Sequence, residues 1–172
     1  MNLWQSFEKA NCSQENQGIS FHYEKGIDHD LRELYLHFSE WLRKNYVFPV
    51  HLTVYILNQE KVMLRNGALR YGSFRWYPKR SPRIKVPSKI EAELLEECSL
   101  EEIYVMILSS LVHEISHYFQ WSLGLEQTNA VSERQANYYR FRIIEQYYAD
   151  VSKHKGRLLP CDIGTVLCAD HW

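Results

Sequence analysis

The chain has 172 residues, of which 45% are hydrophobic, and its 20 Lys and Arg residues almost balance its 21 Asp and Glu residues. This composition is typical of a folded protein, expected as a single domain over residues 1–172, and argues against a protein whose main task is to neutralise a polyanion. The start of the chain does not resemble a signal sequence, and no stretch approaches the roughly 18 apolar residues of a membrane span, so we expect no membrane partner. The four cysteines form no CxxC pair, so nothing requires disulfides, and we expect a cytoplasmic protein.

The first part of the chain predicts one helix followed by strands. Apolar residues recur at helical spacing over residues 30–45, and Asp30 with Glu33 has the pattern of a capping box at the start of this helix. A strand is predicted over residues 50–56, where apolar and polar side chains alternate. Residues 61–78 carry an Asn-Gly pair and a second glycine, and they fit one or two further strands around a turn.

The second part begins with one more strand and then turns helical. Residues 82–87, PRIKVP, alternate between flanking prolines, and because proline cannot donate to a ladder they predict an edge strand. A short helix is predicted over residues 90–98, a longer helix from the capping box SLEE at residues 99–102 to Gly124, and a last helix over about 132–150. This order indicates an α+β domain with a small, mostly antiparallel sheet.

The long helix contains the sequence HEISH, which has the spacing of a zinc-binding motif. Residues four apart lie on one helical face, so the rings of His113 and His117 can bind one ion, and imidazole is a preferred zinc ligand. Glu114 is placed beside the open side of the metal, where its expected role is general base. The alternative is that both histidines are buried in the core and bind no metal. Each would then need a hydrogen-bond partner in a mostly apolar helix, and burial without partners would cost free energy.

A zinc hydrolase usually needs a third protein ligand. The downstream candidates are Glu126, Glu133, Asp150 and His154. We favour Glu133, because it begins a new helix that can pack back across the first. Asn137 lies four residues further on the same face, so its side-chain carbonyl is predicted to accept the free N–H of a ligand histidine.

HEISH followed by ERQANYY at Glu133 resembles the HExxH…ExxAN pattern of gluzincin-type zinc metallopeptidases, most of all the ImmA/IrrE-type peptidases and minigluzincins. The resemblance covers an active-site core of approximately residues 83–150. It implies a zincin-like fold, Zn²⁺ bound by His113, His117 and Glu133, and Glu114 as base and proton shuttle acting on a protein or peptide substrate. SprT-like proteases are weaker relatives, since they use a third histidine soon after the motif.

The same resemblance implies how substrate binds. The strand before the helix, with Arg83, Ile84, Lys85 and Val86, is expected to pair with an extended polypeptide at the edge of the sheet and to pack on the active-site helix. An oxyanion formed during hydrolysis needs a donor besides zinc, and the tyrosines nearest the ligands are the candidates for it: Tyr118, Tyr138 and Tyr139. Because the chain has 12 tyrosines, the alternative that each of these three only packs as an aromatic ring is favoured.

Two other functions are compatible with the sequence. One is a catalytically silent, zinc-stabilised interaction module. The other is a protease associated with nucleic acid, because residues 75–85 combine rings with five cations, namely Arg75, Lys79, Arg80, Arg83 and Lys85. We favour the simpler interpretation that charge and proline protect an edge strand.

The tail over residues 153–172 contains Cys161, Cys168 and His171, which are potential soft metal ligands. A terminal strand or loop is the expected structure there. A second metal site and a latency plug over the zinc are the alternatives. The sequence predicts neither the oligomeric state nor the cleavage specificity.

Overall fold

The computed structural model describes residues 2–7 and 17–155, so the predictions for Cys161, Cys168 and His171 lie outside the described residues. A 3-10 helix, Leu3–Gln5, precedes the regular elements. In chain order these are β1 (Ile19–Tyr23), α1 (His29–Asn45), β2 (Leu52–Leu57), β3 (Val62–Met63), β4 (Leu69–Arg70), β5 (Ser73–Tyr77), β6 (Arg80–Pro87), α2 (Ala92–Glu97), α3 (Leu100–Ser122) and α4 (Asn129–Lys155). The predicted α+β class is confirmed. None of the described helices has both the length and the apolar character needed to cross a membrane.

The main sheet has four strands in the order β1-β2-β6-β5. β1 and β6 both run parallel to β2, and only β5 is antiparallel to its neighbour β6. The prediction of a mostly antiparallel sheet is therefore wrong. One of the two parallel pairs involves β1, which was not predicted: α1 connects it to β2 and carries the chain back to the same end of the sheet, so the two strands pair in parallel.

The prediction that residues 82–87 form an edge strand is also wrong. β6 lies inside the sheet, paired with β2 from Arg83 to Pro87 and with β5 from Arg80 to Lys85. Its first proline, Pro82, precedes the pairing with β2 and lies opposite a register shift in β5, so its missing N–H interrupts neither ladder. The edge strand on this side is β5.

The predicted first helix begins two residues earlier than expected. Its N-cap is Asp28 and not Asp30, because the Asp28 carboxylate accepts the backbone N–H groups of Asp30 and Leu31 at 2.9 and 3.3 Å. Either aspartate satisfies the sequence preference at an N-cap, and in the structure it is Asp28 that accepts the free N–H groups of the first turn.

The long helix α3 forms the centre of the molecule. The predicted capping box is confirmed: the Ser99 hydroxyl accepts the Glu102 N–H at 3.3 Å, and the Glu102 carboxylate accepts the Ser99 N–H at 2.7 Å. Buried residues lie on several of its faces, because it packs between the sheet and α4. The predicted stop is confirmed as well, since Gly124 follows the last turn with a φ of 61°, which glycine adopts without strain.

The helix α4 begins at Asn129, three residues before its predicted start. Glu133 therefore lies in the second turn and not in the first. The face predicted to turn inward is confirmed, since its members are buried: Ala136, Tyr139, Ile143, Ile144 and Tyr147. α4 thus packs along α3 and brings its first turns beside the HEISH segment.

Candidate metal centre

Three side chains from α3 and α4 converge at one point between the two helices. His113 and His117 lie one turn apart on α3, and their Nε2 atoms are 3.1 Å apart. Glu133 places Oε2 3.3 Å from Nε2 of His113 and Oε1 3.4 Å from Nε2 of His117. One ligand atom from each residue lies within 4.8 Å of the others. The fold therefore brings together the three residues that the sequence predicts as ligands.

A hydrogen bond at the other ring nitrogen orients each histidine. Nδ1 of His113 lies 3.1 Å from Oδ1 of Asn137, the residue predicted for this position, and Nδ1 of His117 lies 2.8 Å from Oε1 of Gln120. An amide oxygen only accepts, so in the neutral rings both Nδ1 atoms carry the proton. Both Nε2 lone pairs are then available to a metal, as in other metal-binding imidazoles.

Gln120 was not predicted, although it lies three residues after His117 on the same helix. Its amide is buried and held on both sides: Nε2 donates to the Ser132 carbonyl and to Oε1 of Gln135, each at 2.9 Å. Its Oε1 also accepts the Ser132 hydroxyl at 2.7 Å. These bonds fix which end of the amide faces His117, and they join the two helices directly behind the ligand.

The central atoms fit a zinc ion by their chemistry. Two imidazole nitrogens and two carboxylate oxygens meet there, all of them electron-pair donors, and they repel one another unless a cation lies between them. Burial and the neighbouring His117 lower the pKa of His113 to about 4, so its ring is neutral at pH 7, as ligation requires. Two histidines and one glutamate, with a fourth position left for water or substrate, form a ligand set found in catalytic zinc sites.

Glu114 lies in the same cleft, beside the convergent ligands. Burial and the charge of Glu133 raise the pKa of its carboxyl to about 8, although the Phe74 backbone N–H donates to the carboxylate and acts to lower it. A carboxyl that titrates near neutrality can both take up and return a proton at physiological pH. The environment of Glu114 therefore suits a general base.

The segment between β4 and β5 approaches Glu114 closely at a glycine. A Cβ atom placed on Gly72 would lie 2.7 Å from both Cγ and Oε1 of Glu114. Only a residue without a side chain lets the backbone pass here, so Gly72 limits the space in which the carboxylate can move.

A cleft of about 880 Å³ opens in front of the candidate metal centre. The edge strand β5 borders it on one side, and the indole rings of Trp76 and Trp121 stack there with centroids 6.2 Å apart. Arg70 and Arg140 also line the cleft. The candidate metal centre is thus open to a ligand much larger than water.

The structure places the predicted oxyanion donors elsewhere. Tyr118 is fully buried, and its hydroxyl donates to the Val50 carbonyl. The buried Tyr139 hydroxyl accepts the Leu3 N–H, whereas Tyr138 is exposed and its hydroxyl accepts a guanidinium N–H. None of the three tyrosines lines the cleft, because α3 and α4 turn them towards the core or the opposite surface.

The predicted substrate strand does not border the cleft either. Ile84 and Val86 are buried in the core, whereas Arg83 and Lys85 point to the opposite face of the sheet. Both sides of β6 are already paired, so no substrate strand can be added to it.

Comparison of the chain with models of known protein families, with curated proteins and with solved structures finds no match in any of the three. The function is therefore inferred from the chemistry and geometry of the candidate metal centre.

Proposed function

We propose that this protein is a zinc-dependent peptidase that hydrolyses peptide bonds in extended polypeptides, with Glu114 as general base. The observation that carries the proposal is the convergence of His113, His117 and Glu133 on one point, with a further carboxyl beside it in an open cleft. Structural zinc sites are usually closed by four protein ligands, whereas the described residues supply three here, and the set faces an open cleft.

The three ligands, Glu114 and Arg140 each have a part in the proposed reaction. His113, His117 and Glu133 would hold the ion. Zinc in such a site supplies Lewis acidity, which makes water nucleophilic near neutral pH and polarises the carbonyl group under attack. Glu114 takes the proton of the attacking water at its carboxylate and passes it to the leaving amine. Arg140 lines the cleft and is now the candidate to stabilise negative charge on the carbonyl oxygen.

The edge of β5 is the proposed site of substrate pairing, in place of β6. In the described part of the chain no strand pairs with the outer edge of β5, and the Phe74 N–H on this edge already reaches into the cleft to Glu114. An extended polypeptide can add as the next strand, which would hold one of its peptide bonds beside the base. Trp76 and Trp121 would then contact the substrate side chains on one side of this bond.

Metal analysis and turnover of three proteins test the proposal. We expect about one equivalent of zinc in the unmutated protein, less than about half an equivalent in His117→Ala, and a full equivalent in Glu114→Gln. With casein as an unstructured substrate, Glu114→Gln should lower turnover at least about 100-fold, because it removes only the base. Less than about half an equivalent of zinc in the unmutated protein would falsify the proposal.

The second candidate is a zinc-stabilised interaction module without catalysis. The orientation of both histidines by Asn137 and Gln120 favours metal binding equally under this hypothesis. The same proteins separate the two functions. A module predicts a full equivalent of zinc, a stable fold and no difference between the unmutated protein and Glu114→Gln in any cleavage assay.

A further inference from the structure

The sheet has a second surface, on the side opposite α3. Along β2 the residues Leu52, Val54 and Ile56 are buried in the core, whereas the residues between them point to the other side. The pairing registers place residues of β1, β6 and β5 on this same side of the sheet. Every large side chain on this side is partly or fully exposed to solvent. We call this surface the outer face; its large side chains are His22, Tyr55, Arg75, Tyr77, Arg83 and Lys85.

Within the four strands of the described sheet, the charged side chains of the outer face are all cationic. Residues 61–90 contain nine of the chain's 20 Lys and Arg residues and none of its 21 Asp and Glu residues. This segment supplies β3 to β6, and β1 and β2 add no carboxylate to the sheet. The protein as a whole has a net charge of −1, so the cations of residues 61–90 exceed what the average composition of the chain would place there and have no carboxylate within the same segment.

The phenol of Tyr77 responds to this concentration of charge. Desolvation acts to raise its pKa, but a hydrogen bond from Arg75 and the charges of Arg65 and Arg83 hold the pKa below its ordinary value. Three guanidinium groups thus act on one exposed oxygen near the hairpin between β5 and β6.

Rings and a guanidinium form a row across three strands of the outer face. The rings of His22 and Tyr55 stack with centroids 5.3 Å apart and planes 24° from parallel. The guanidinium carbon of Arg83, on the next strand, lies 5.9 Å from the centroid of the Tyr55 ring. Flat π surfaces interleaved with cations are the surfaces on which unpaired bases stack while their phosphates are neutralised.

We propose that the outer face binds single-stranded nucleic acid. Arg75, Arg83 and Lys85 would contact phosphates, and the rings of His22 and Tyr55 would stack with bases. A single strand fits better than a duplex, because bases must be unpaired to stack on these rings. A four-stranded sheet is also too broad to enter a groove of duplex DNA. Of the outer-face side chains named above, only Arg75 belongs to a residue that also lines the cleft, so the binding can be tested at residues that take no part in the peptidase proposal.

Fluorescence anisotropy with a labelled oligo-dT of about 16 nucleotides tests the proposal on the full chain. We expect saturable binding at about 50 mM salt that weakens as salt rises. Arg83→Gln with Lys85→Gln should reduce affinity about tenfold or more and make the slope of log K against log salt shallower by about 1.4, because two phosphate contacts are lost. The matched control, Lys44→Gln with Arg142→Gln, removes two exposed cations from α1 and α4 and should change neither quantity.

A ring substitution distinguishes nucleic acid from any other polyanion. Tyr55→Leu should weaken oligo-dT binding about tenfold, because a stacked base loses its partner, whereas Tyr55→Phe keeps the ring and should bind almost as the unmutated protein does. Circular dichroism of both variants shows whether the sheet is intact. A variant that fails to fold is replaced by His22→Leu, whose exposed ring belongs to the same row.

Three outcomes would overturn the proposal. The first is no binding of oligo-dT at about 50 mM salt. The second is an equal loss of affinity in the Lys44→Gln/Arg142→Gln control. The third is displacement of oligo-dT by polyglutamate of equal length at equal concentration, with no effect of Tyr55→Leu, which would identify the outer face as a surface for acidic polypeptides.

Discussion

The choice of tautomer at His117 depends on a buried amide. Gln120 uses its oxygen for His117 and its nitrogen for the carbonyl of Ser132 and the side chain of Gln135, so a flipped amide would lose several bonds at once. Because the amide cannot turn, the His117 Nδ1 keeps its proton and Nε2 keeps its lone pair for the candidate ion.

Replacing Gln120 by leucine should weaken zinc binding about 10- to 100-fold, since the ring loses the bond that orients it. Competition against a zinc chelator measures this dissociation constant directly. The matched control is Gln127→Leu, an exposed residue at the rim of the cleft, which should leave zinc affinity unchanged. Equal affinity of Gln120→Leu and the unmutated protein would show that the amide does not position the ligand.

The raised pKa of Glu114 predicts how pH affects the stability of the protein in a metal chelator. The carboxyl has a pKa of about 8 in the folded protein, against an ordinary value of 4.5. Between these values the folded state holds a proton that the unfolded state has lost, so the free energy of unfolding should fall as pH rises from 4.5 to 8. Glu114→Gln remains neutral and should be the more stable protein at pH 8, by on the order of 2 kcal/mol.

Urea unfolding of both proteins across this pH range measures the difference. The gap between Glu114→Gln and the unmutated protein should close as pH approaches 4.5, where both side chains are neutral when folded. A gap that stays constant with pH would mean that the carboxyl titrates normally.

At the scale of the elements, β5 links the sheet to the chemistry of the cleft. Its Phe74 N–H holds the Glu114 carboxylate, and Gly72 just before it leaves no room for a side chain. The sequence around Gly72 predicts only a turn, because a close approach between a strand and a helix far apart in the chain has no local pattern.

Gly72→Ala should displace the Glu114 carboxylate, because the new methyl group would lie 2.7 Å from its Oε1. We expect turnover to fall about 10- to 100-fold, since a general base out of position by about an ångström is much less effective. Zinc content should stay at one equivalent, which separates this effect from loss of the metal. Unchanged casein hydrolysis by Gly72→Ala would show that the carboxylate can move freely.

Local signals predicted the helices better than the sheet. The capping box at Ser99, the stop at Gly124 and the inward face of α4 depend on residues within a few positions of one another, and all three are confirmed. The position of β6 within the sheet depends on which strands lie on either side of it. Prolines at both ends of this strand predict an edge position, whereas in the structure they lie where the ladder with β2 begins and ends.

At the scale of the whole molecule, the N-terminal segment supports α3 from behind. Trp4 is buried, and its indole N–H donates to the Ser116 hydroxyl at 3.0 Å, within the HEISH segment but on the side away from the cleft. The same segment bonds to α4, through the Leu3 N–H and the Tyr139 hydroxyl at 2.9 Å. The two helices that carry the candidate ligands therefore share a partner more than a hundred residues away in sequence.

Trp4→Ala should lower the free energy of unfolding by about 3–5 kcal/mol, because it leaves a cavity at the back of α3 and deprives Ser116 of a partner. Denaturant unfolding measures the loss. Trp76→Ala is the matched control: this ring is 53% exposed in the cleft, so its removal should cost less than about 1 kcal/mol. Equal losses from the two substitutions would contradict a structural role for the N-terminal segment.

The amino-acid sequence by itself determined the helices, the α+β class and the residues that meet as candidate ligands. Helical spacing places His113 and His117 on one face whatever surrounds them, and a short connection obliges α4 to return along α3 with Glu133 near its start. These features follow from hydrogen bonds and chain geometry over a few residues.

Only the tertiary structure decided the parallel pairing of β1 and β2, the choice of β5 as edge strand, the burial of Tyr118 and the role of Gln120. Each of these features joins segments that are distant in sequence or chooses among several side chains of similar chemistry. The free energy that selects among them comes from packing and hydrogen bonding in the assembled core, and no pattern along the chain records it in advance.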